Sequence, residues 1–223
     1  APPLADVLVQ RHKAEGVKFI FCAQVTAIEN RKITLKNGSE ITADLVVAAI
    51  GAVPETDLAE RSGLVVQNGI VVNAELETSD KSIFAAGDCC NFPSSHTGDK
   101  IRLESWRNAV EQGVHAAANM LGAAKEYKKT PWFWSDQYDL TLQAAGVSQP
   151  GQTYLRRELE TKAVILFQLG QDGKLFSASG LGPTGSVAKE IRIAELMMER
   201  GIQPDPSALV DAQINLKTLL RSS

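Results

Sequence analysis

Apolar positions change their period along the chain, and each change predicts a different kind of element. Near the start, Leu4, Val7 and Leu8 make one face of a helix that Pro2 or Pro3 can open and Gly16 can close. Residues 18–22 and 24–29 read as strands, and residues 32–36 pair next. Asn37-Gly38 is a hairpin turn signal, and residues 40–43 continue the meander. Residues 44–50 form an apolar run expected of a strand covered on both faces, stopping at Gly51-Ala52-Val53-Pro54. This opening has the pattern of the tail of an α/β domain.

A helical pattern returns after residues 57–63 (a short helix or turn), a strand at 69–73 and a turn-rich stretch at 73–82. Ile83-Phe84-Ala85-Ala86 reads as a short strand, followed by Gly87-Asp88, a loop, and a helix entered through Arg102-Leu103-Glu104-Ser105-Trp106. Trp106, Ala109, Val110, Gly113, Val114, Ala117 and Leu121 recur in it at helical spacing. Gly113 in mid-helix predicts a close packing contact, and Gly122 a left-handed helix end. Residues 123–130 are polar and read as a linker. Beyond them, residues 140–147, 153–158, 163–169 and 174–180 predict a small antiparallel sheet with Asp172-Gly173 as a turn. A helix over 186–200 follows, closed by Gly201, Pro204 and Pro206, with a short helix or two at the end. Strands followed by helices imply a separate α+β unit.

Composition narrows the class. The 223 residues suit one large domain or two small ones, and 44% hydrophobic with 22% charged residues is a soluble globular balance. The run at 45–50 is far too short to span a bilayer, and the first residues show neither a basic start nor an apolar signal core. These features predict a cytoplasmic protein without a membrane partner. A net charge of −3 argues against general nucleic-acid binding. The three cysteines, Cys22, Cys89 and Cys90, contain no Cys-x-x-Cys and predict neither a disulfide framework nor a redox pair. No metal site is expected, and Cys89-Cys90 read as small residues packed behind the Gly-Asp turn.

The stretch around Asp88 carries the chemistry. Gly87 removes a side chain that would keep a ligand off the backbone. Asp88 offers a carboxylate to sugar-alcohol hydroxyls. The helix beginning near Ser105 and Trp106 aims free amides and a partial positive charge at the same place. A polyhydroxylated, electron-rich cofactor such as a flavin fits that seat. A second motif, Gly180-Leu181-Gly182-Pro183-Thr184-Gly185, matches G-x-G-x-x-G but follows antiparallel strands, and Pro183 removes an amide that would cradle phosphate. It reads as a structural turn.

The segment 44–55 resembles the motif that ends the NAD(P) domain of flavin-dependent pyridine nucleotide reductases, and 78–88 resembles their second FAD-binding motif. Arg102-Leu103-Glu104-Ser105-Trp106-Arg107-Asn108-Ala109 and Pro131-Trp132-Phe133-Trp134-Ser135-Asp136-Gln137 are similar to segments of FAD-dependent ferredoxin reductases of the putidaredoxin and rhodocoxin reductase type. The resemblance implies truncated glutathione-reductase-type FAD/NAD(P) domains, α/β in class, followed by a small C-terminal α+β reductase domain with an antiparallel sheet. It divides the chain into an NAD(P)-domain tail (1–52), the end of an FAD domain (53–127) and a C-terminal reductase domain (128–223). The family's two dinucleotide fingerprints would lie upstream, so the polypeptide alone is expected to bind FAD weakly and to be inactive.

By the same resemblance, Asp88, with Gly87, would hold the ribityl chain of FAD, and the amides near Ser105 and Trp106 would face the pyrimidine end of the flavin ring. Gly51 would let NAD(H) approach the backbone, Glu104 and Ser105 would approach the nicotinamide, and Trp106 and Trp134 would wall the pocket. No catalytic side chain is implied. The implied partner is a [2Fe-2S] ferredoxin, steered by Lys125, Lys128, Lys129, Arg102, Arg107, Arg156 or Arg157, and a homodimer stays open. The alternatives are a non-catalytic docking or oligomerisation fragment, or a flavoprotein like apoptosis-inducing factor.

Overall fold

A computed structural model describes residues 2–95 and 98–221. The first helix, α1, runs Pro2–Ala14 and buries Leu4. The chain forms two compact units, one spanning Asp6–Val53 and the other the chain from Pro54 on with the residues before Asp6.

In the first unit, β1 (Val25–Glu29), β2 (Lys32–Leu35) and β3 (Glu40–Thr42) form an antiparallel meander. Gly38 takes φ +83° in the turn, where Asn37 Oδ1 accepts the Ser39 amide at 3.0 Å. Ile33 and Leu35 supply its buried face. Two expected strands are absent. Residues 18–22 include a turn with Cys22 at φ +54°. Residues 44–50 form no strand, and Leu45, Val47 and Ile50 are 79%, 78% and 95% exposed. A strand needs a neighbour for its amides and carbonyls, and no described strand pairs with this run.

In the second unit, α2 (Asp57–Arg61) precedes a small sheet in which β4 (Ile70–Val71) lies parallel to β5 (Cys90–Pro93), and β5 antiparallel to β6 (Lys100–Ile101). The strand expected at 83–86 is reduced to one bridge between Phe84 and Glu77. A tight turn explains this: the Thr78 amide donates to Ile83 O at 2.9 Å and the Ile83 amide to Asp80 O at 3.0 Å. The strand instead follows the Gly87-Asp88 turn, so Asp88 precedes a strand where one was expected to end.

The long helix α3 (Trp106–Met120) turns a polar face inward. Asn108, Gln112, Ala116 and Asn119 are buried, while Trp106, Val114 and Leu121 are 72%, 69% and 90% exposed. Buried polar residues require partners, and Asn108, Gln112 and Asn119 each find at least one, although Gln112 Nε2 has none among the described residues. Gln112 Oε1 accepts the Gly87 amide at 2.8 Å, and Tyr127 Oη donates to Asn108 Oδ1 at 3.3 Å. Asn119 donates to Glu75 O and Lys125 O and accepts the Lys125 amide. Residues 123–130 are thus tied down and bury Tyr127 and Thr130, contrary to the linker expectation. Gly113 has open space where a Cβ would stand, so it marks no close contact. Gly122 ends the helix at φ +90°.

The C-terminal region is a five-stranded antiparallel sheet in the order β7-β8-β11-β10-β9. The strands are β7 (Trp132–Gln137), β8 (Leu140–Gly146), β9 (Leu155–Glu158), β10 (Val164–Leu169) and β11 (Leu175–Pro183). Helix α4 (Ala188–Glu199) packs Ile191, Ala194 and Met197 on Ile165, Phe167 and Ala178 in one buried core. Gly180 and Gly182 lie in β11: a Cβ on Gly180 would come 2.6 Å from Ile165 Cδ1, and one on Gly182 2.4 Å from Ala163 Cβ. These two glycines serve close packing inside a strand rather than the turn expected of the motif, and the turn begins only at Thr184. A short helix, α5 (Pro206–Val210), and a final 3-10 turn complete the region. Arg157 of β9 is 2% exposed, and its guanidinium donates to Leu209 O, Asp211 O, Ala212 O and Ile214 O.

Candidate functional site

The Gly87-Asp88 turn and the start of α3 are brought together by Ala109, Arg102 and Gln112, of which only Gln112 went unmarked in the sequence pattern. Gly87 adopts φ +84° and faces Ala109 of the helix, 3.6 Å from where a Cβ would stand. Gln112, one helical turn further on, takes the Gly87 amide. Arg102 Nη1 donates to the Asp88 carbonyl at 3.0 Å and pairs with Glu104 Oε1 at 2.6 Å. Asp88 is exposed, and its carboxylate accepts no hydrogen bond among the described residues. These bonds hold the backbone of the turn and leave the carboxylate available.

Ser105 caps α3: its Oγ accepts the Asn108 amide at 3.3 Å and donates to Trp132 O at 3.4 Å. The hydroxyl is committed to the fold, whereas the amides of the first turn, unable to bond within the helix, retain the positive end of its dipole. Glu104, exposed beside the cap, is paired with Arg102.

Trp132 and Trp134 of β7 stack with centroids 5.4 Å apart, and Arg107 lies 5.2 Å over the Trp132 ring. Arg107 also pairs with Glu195, which is 1% exposed, at 2.6 Å and with Glu111 at 2.9 Å. Burial disfavours the Arg107 cation, but hydrogen bonds to Glu195 and Glu111 outweigh it and raise its pKa. A groove of about 460 Å³ is lined by Trp106, Arg107, Trp132, Trp134, Asp136 and Gln143, among others. A smaller hollow of about 310 Å³ is bordered by Glu104, Ser105, Trp132 and Phe133. Asp88 lines neither. A larger hollow of about 730 Å³ lies among Gln149, Asp172, Lys174 and Arg200. Gly51 belongs to the Asp6–Val53 unit, with φ +104°.

Of the basic residues considered for steering, Arg157 is buried and cannot serve. Arg102, Arg107, Lys128 and Arg156 are held in ion pairs, while Lys125 and Lys129 are exposed. Cys90 is buried in β5, and burial followed by the neighbouring Cys89 pushes its thiol up to about 12. Among the described residues no group of three or more His, Cys, Asp or Glu could hold a metal ion, and no helix is long and apolar enough to cross a membrane.

Residues 1–113, just over half of the chain, match the pattern of the family described as pyridine nucleotide-disulphide oxidoreductase. The chain belongs to that family. In this pyridine nucleotide-disulphide oxidoreductase chain, residues 132–220 match a second pattern, described as reductase C-terminal. The chain is 37% identical over 214 residues to the ferredoxin–NAD(+) reductase component of the anthranilate 1,2-dioxygenase system of Burkholderia cepacia, covering 94% of this chain and 52% of the relative. Its fold matches the ferredoxin reductase for the CYP199A2 system from Rhodopseudomonas palustris with a TM-score of 0.88 at 29% identity, covering 98% of this chain and 54% of that one. It matches the covalent putidaredoxin reductase–putidaredoxin complex equally well, with a TM-score of 0.88 at 29% identity, covering 100% of this chain and 54% of the matched one. The chain thus spans about half the length of the relatives it matches.

Proposed function

We propose that this chain is part of a flavoprotein reductase that passes electrons from NAD(P)H through FAD to a [2Fe-2S] ferredoxin. Within it, residues 1–52 act as the end of an NAD(P)-binding domain, 53–127 as the end of an FAD-binding domain, and 128–223 as the C-terminal reductase domain. The observation that carries the reading is the Gly87-Asp88 turn clamped to the first turns of α3 with its carboxylate left unbonded among the described residues. The names of the relatives, which are ferredoxin reductases, and the complex of one with its ferredoxin support the electron acceptor.

The residues fit a flavin. Asp88 presents an acceptor-only group to sugar-alcohol hydroxyls, held in place by Arg102 and Gln112 through the backbone. The first-turn amides of α3 offer donors to the electron-rich end of a flavin ring, worth ~0.3–1 kcal/mol for a negative charge at that position. Trp106 and Trp134 supply aromatic walls. Bound FAD would supply the change from two-electron to one-electron chemistry. The chain's own part is positioning and electrostatics. Asp88 orients the ribityl chain, the helix end favours accumulating negative charge, and the aromatic groove excludes water from the nicotinamide side. Gly51 would let a nucleotide approach the backbone of the Asp6–Val53 unit; in the other unit, taken by itself, Glu104 and the Ser105 amide would meet a nicotinamide carboxamide. No side chain is required to form a covalent bond.

Flavin titration followed by quenching of flavin fluorescence tests the reading. The chain alone is expected to bind FAD weakly, and its mixture with a polypeptide carrying the family's dinucleotide fingerprints to bind tightly. Asp88→Ala in that mixture should weaken binding by roughly tenfold or more, the scale of a lost hydrogen bond to a charged group. Equal retention by wild type and variant would remove Asp88 from the site. Failure of both chain and mixture to take up FAD would defeat the assignment.

A further inference from the structure

Arg107 makes contacts that neither a helix start nor a surface ion pair requires. It lies in the first turn of α3, and its guanidinium reaches Glu111 on its own helix, Glu195 on α4 and the ring face of Trp132 on β7. Glu195 is 1% exposed and is held from the other side by Arg192 at 2.6 Å. The cation is therefore held by carboxylates at Nε and at Nη2 and cannot swing freely. A guanidinium fixed in this way presents one flat face to the indole, an arrangement a lysine cannot reproduce. Ser105 fixes the backbone of the same tryptophan through its carbonyl. Trp132 is thus gripped twice, by the cap at its backbone and by Arg107 at its ring, and Trp134 stacks on it in turn.

We propose that Arg107 is a positioning residue that sets the tilt of the Trp132–Trp134 pair and so shapes the aromatic groove at the start of α3 to admit a flat ring. It acts through the tryptophans and touches no reacting atom. Its charge is balanced by Glu111 and Glu195, so the groove gains a rigid wall without a strong local field. The assignment of the flat ring to a nicotinamide rests on the function proposed above; the positioning of the tryptophans does not.

The chain has three tryptophans, Trp106, Trp132 and Trp134, and all three line this groove, so tryptophan emission excited clear of the three tyrosines reports on the groove alone. The test compares Arg107→Lys, Arg107→Met and Arg107→Met/Glu195→Gln in the full 223-residue chain, the double variant avoiding a buried carboxylate stripped of one partner. Melting temperature, tryptophan emission and the indole couplet in circular dichroism are read for each. The expected result is a near-native melting temperature for Arg107→Lys, with the emission shifted and the couplet weakened as in Arg107→Met. A merely structural ion pair predicts the opposite: the lysine variant restores emission and couplet along with stability. The idea is overturned if emission and couplet match wild type in a folded Arg107→Met/Glu195→Gln protein.

In the FAD-loaded mixture with a polypeptide carrying the dinucleotide fingerprints, Arg107→Met should raise KM for the nicotinamide nucleotide roughly three- to tenfold, the worth of one cation–π contact, with kcat unchanged. An unchanged KM with an altered couplet would leave the tryptophan positioning standing and overturn only the admission of the nicotinamide ring, whereas failure to take up FAD would bear on the flavoprotein reading alone.

Discussion

The Asp6–Val53 unit and the C-terminal sheet with α4 use similar apolar residues and put them to opposite fates. There, Ile165, Phe167 and Ala178 of the sheet and Ile191 and Met197 of α4 are 0% exposed and meet in one core. In the unit at 6–53, an apolar run as dense as any in the sheet leaves Ile50 95% exposed. The difference is pairing. Each inner strand of the sheet has a neighbour on both sides and a helix over one face, whereas residues 44–50 have no strand beside them among the described residues. Apolar sequence favours burial only as far as other elements supply a surface to bury against.

The largest way to sharpen this contrast is Phe167→Ala, which removes a fully buried side chain from a closed core. It should cost about 3–5 kcal/mol, read from the midpoint of urea unfolding; a cost under about 1 kcal/mol would show that the core is not closed as described. Within a pH unit or so above 9, a smaller effect is expected from alkali at Cys90, in the lesser core formed with Val72, Leu76 and Phe92. Its thiol is raised from 9.0 to about 12 in the fold, chiefly by burial, so the native state holds this proton more tightly than the unfolded chain. Stability should be flat below about pH 9 on this account and fall between there and about 12. Cys90→Ala should flatten the fall only in part, because burial raises Tyr127 in the same direction. A limb of unchanged slope in the variant would show that Cys90 does not titrate there. The least effect belongs to Ile50→Ser, within about 0.5 kcal/mol of wild type; a larger loss would mean that Ile50 is buried in solution and would erase the contrast.

The same contrast explains what could be read in advance. The C-terminal sheet was legible because alternation, Asp172-Gly173 and the closing Gly201 all act locally, and each strand found the neighbour that its pattern anticipated. The meander around Asn37-Gly38 was legible for the same reason. Periodicity located α3 but could not tell which stripe faces inward. Asn108, Gln112 and Asn119 are buried because Tyr127, the Gly87 amide and the Glu75 carbonyl meet them from 19, 25 and 44 positions away. In the candidate site, Gly87, Asp88, Ser105 and the tryptophans stand out by type and spacing. Arg107 does not, since only its i, i+4 partner Glu111 is visible along the helix, while Glu195 lies 88 positions away. Strand β7 went unread because its bulky aromatics break simple alternation.

The buried guanidinium of Arg157 has a consequence for how the sheet ends. β9 is its last strand, and a margin of that kind invites a foreign strand to join. Here the polypeptide after α5 is buttoned to that margin through carbonyls gathered by one side chain. An intruder would have to unfasten the tail first, leaving a cation in the interior with Glu190, 4.0 Å off, as its nearest counter-charge. One rim of the sheet is thereby fastened by the carbonyls of residues 209–214.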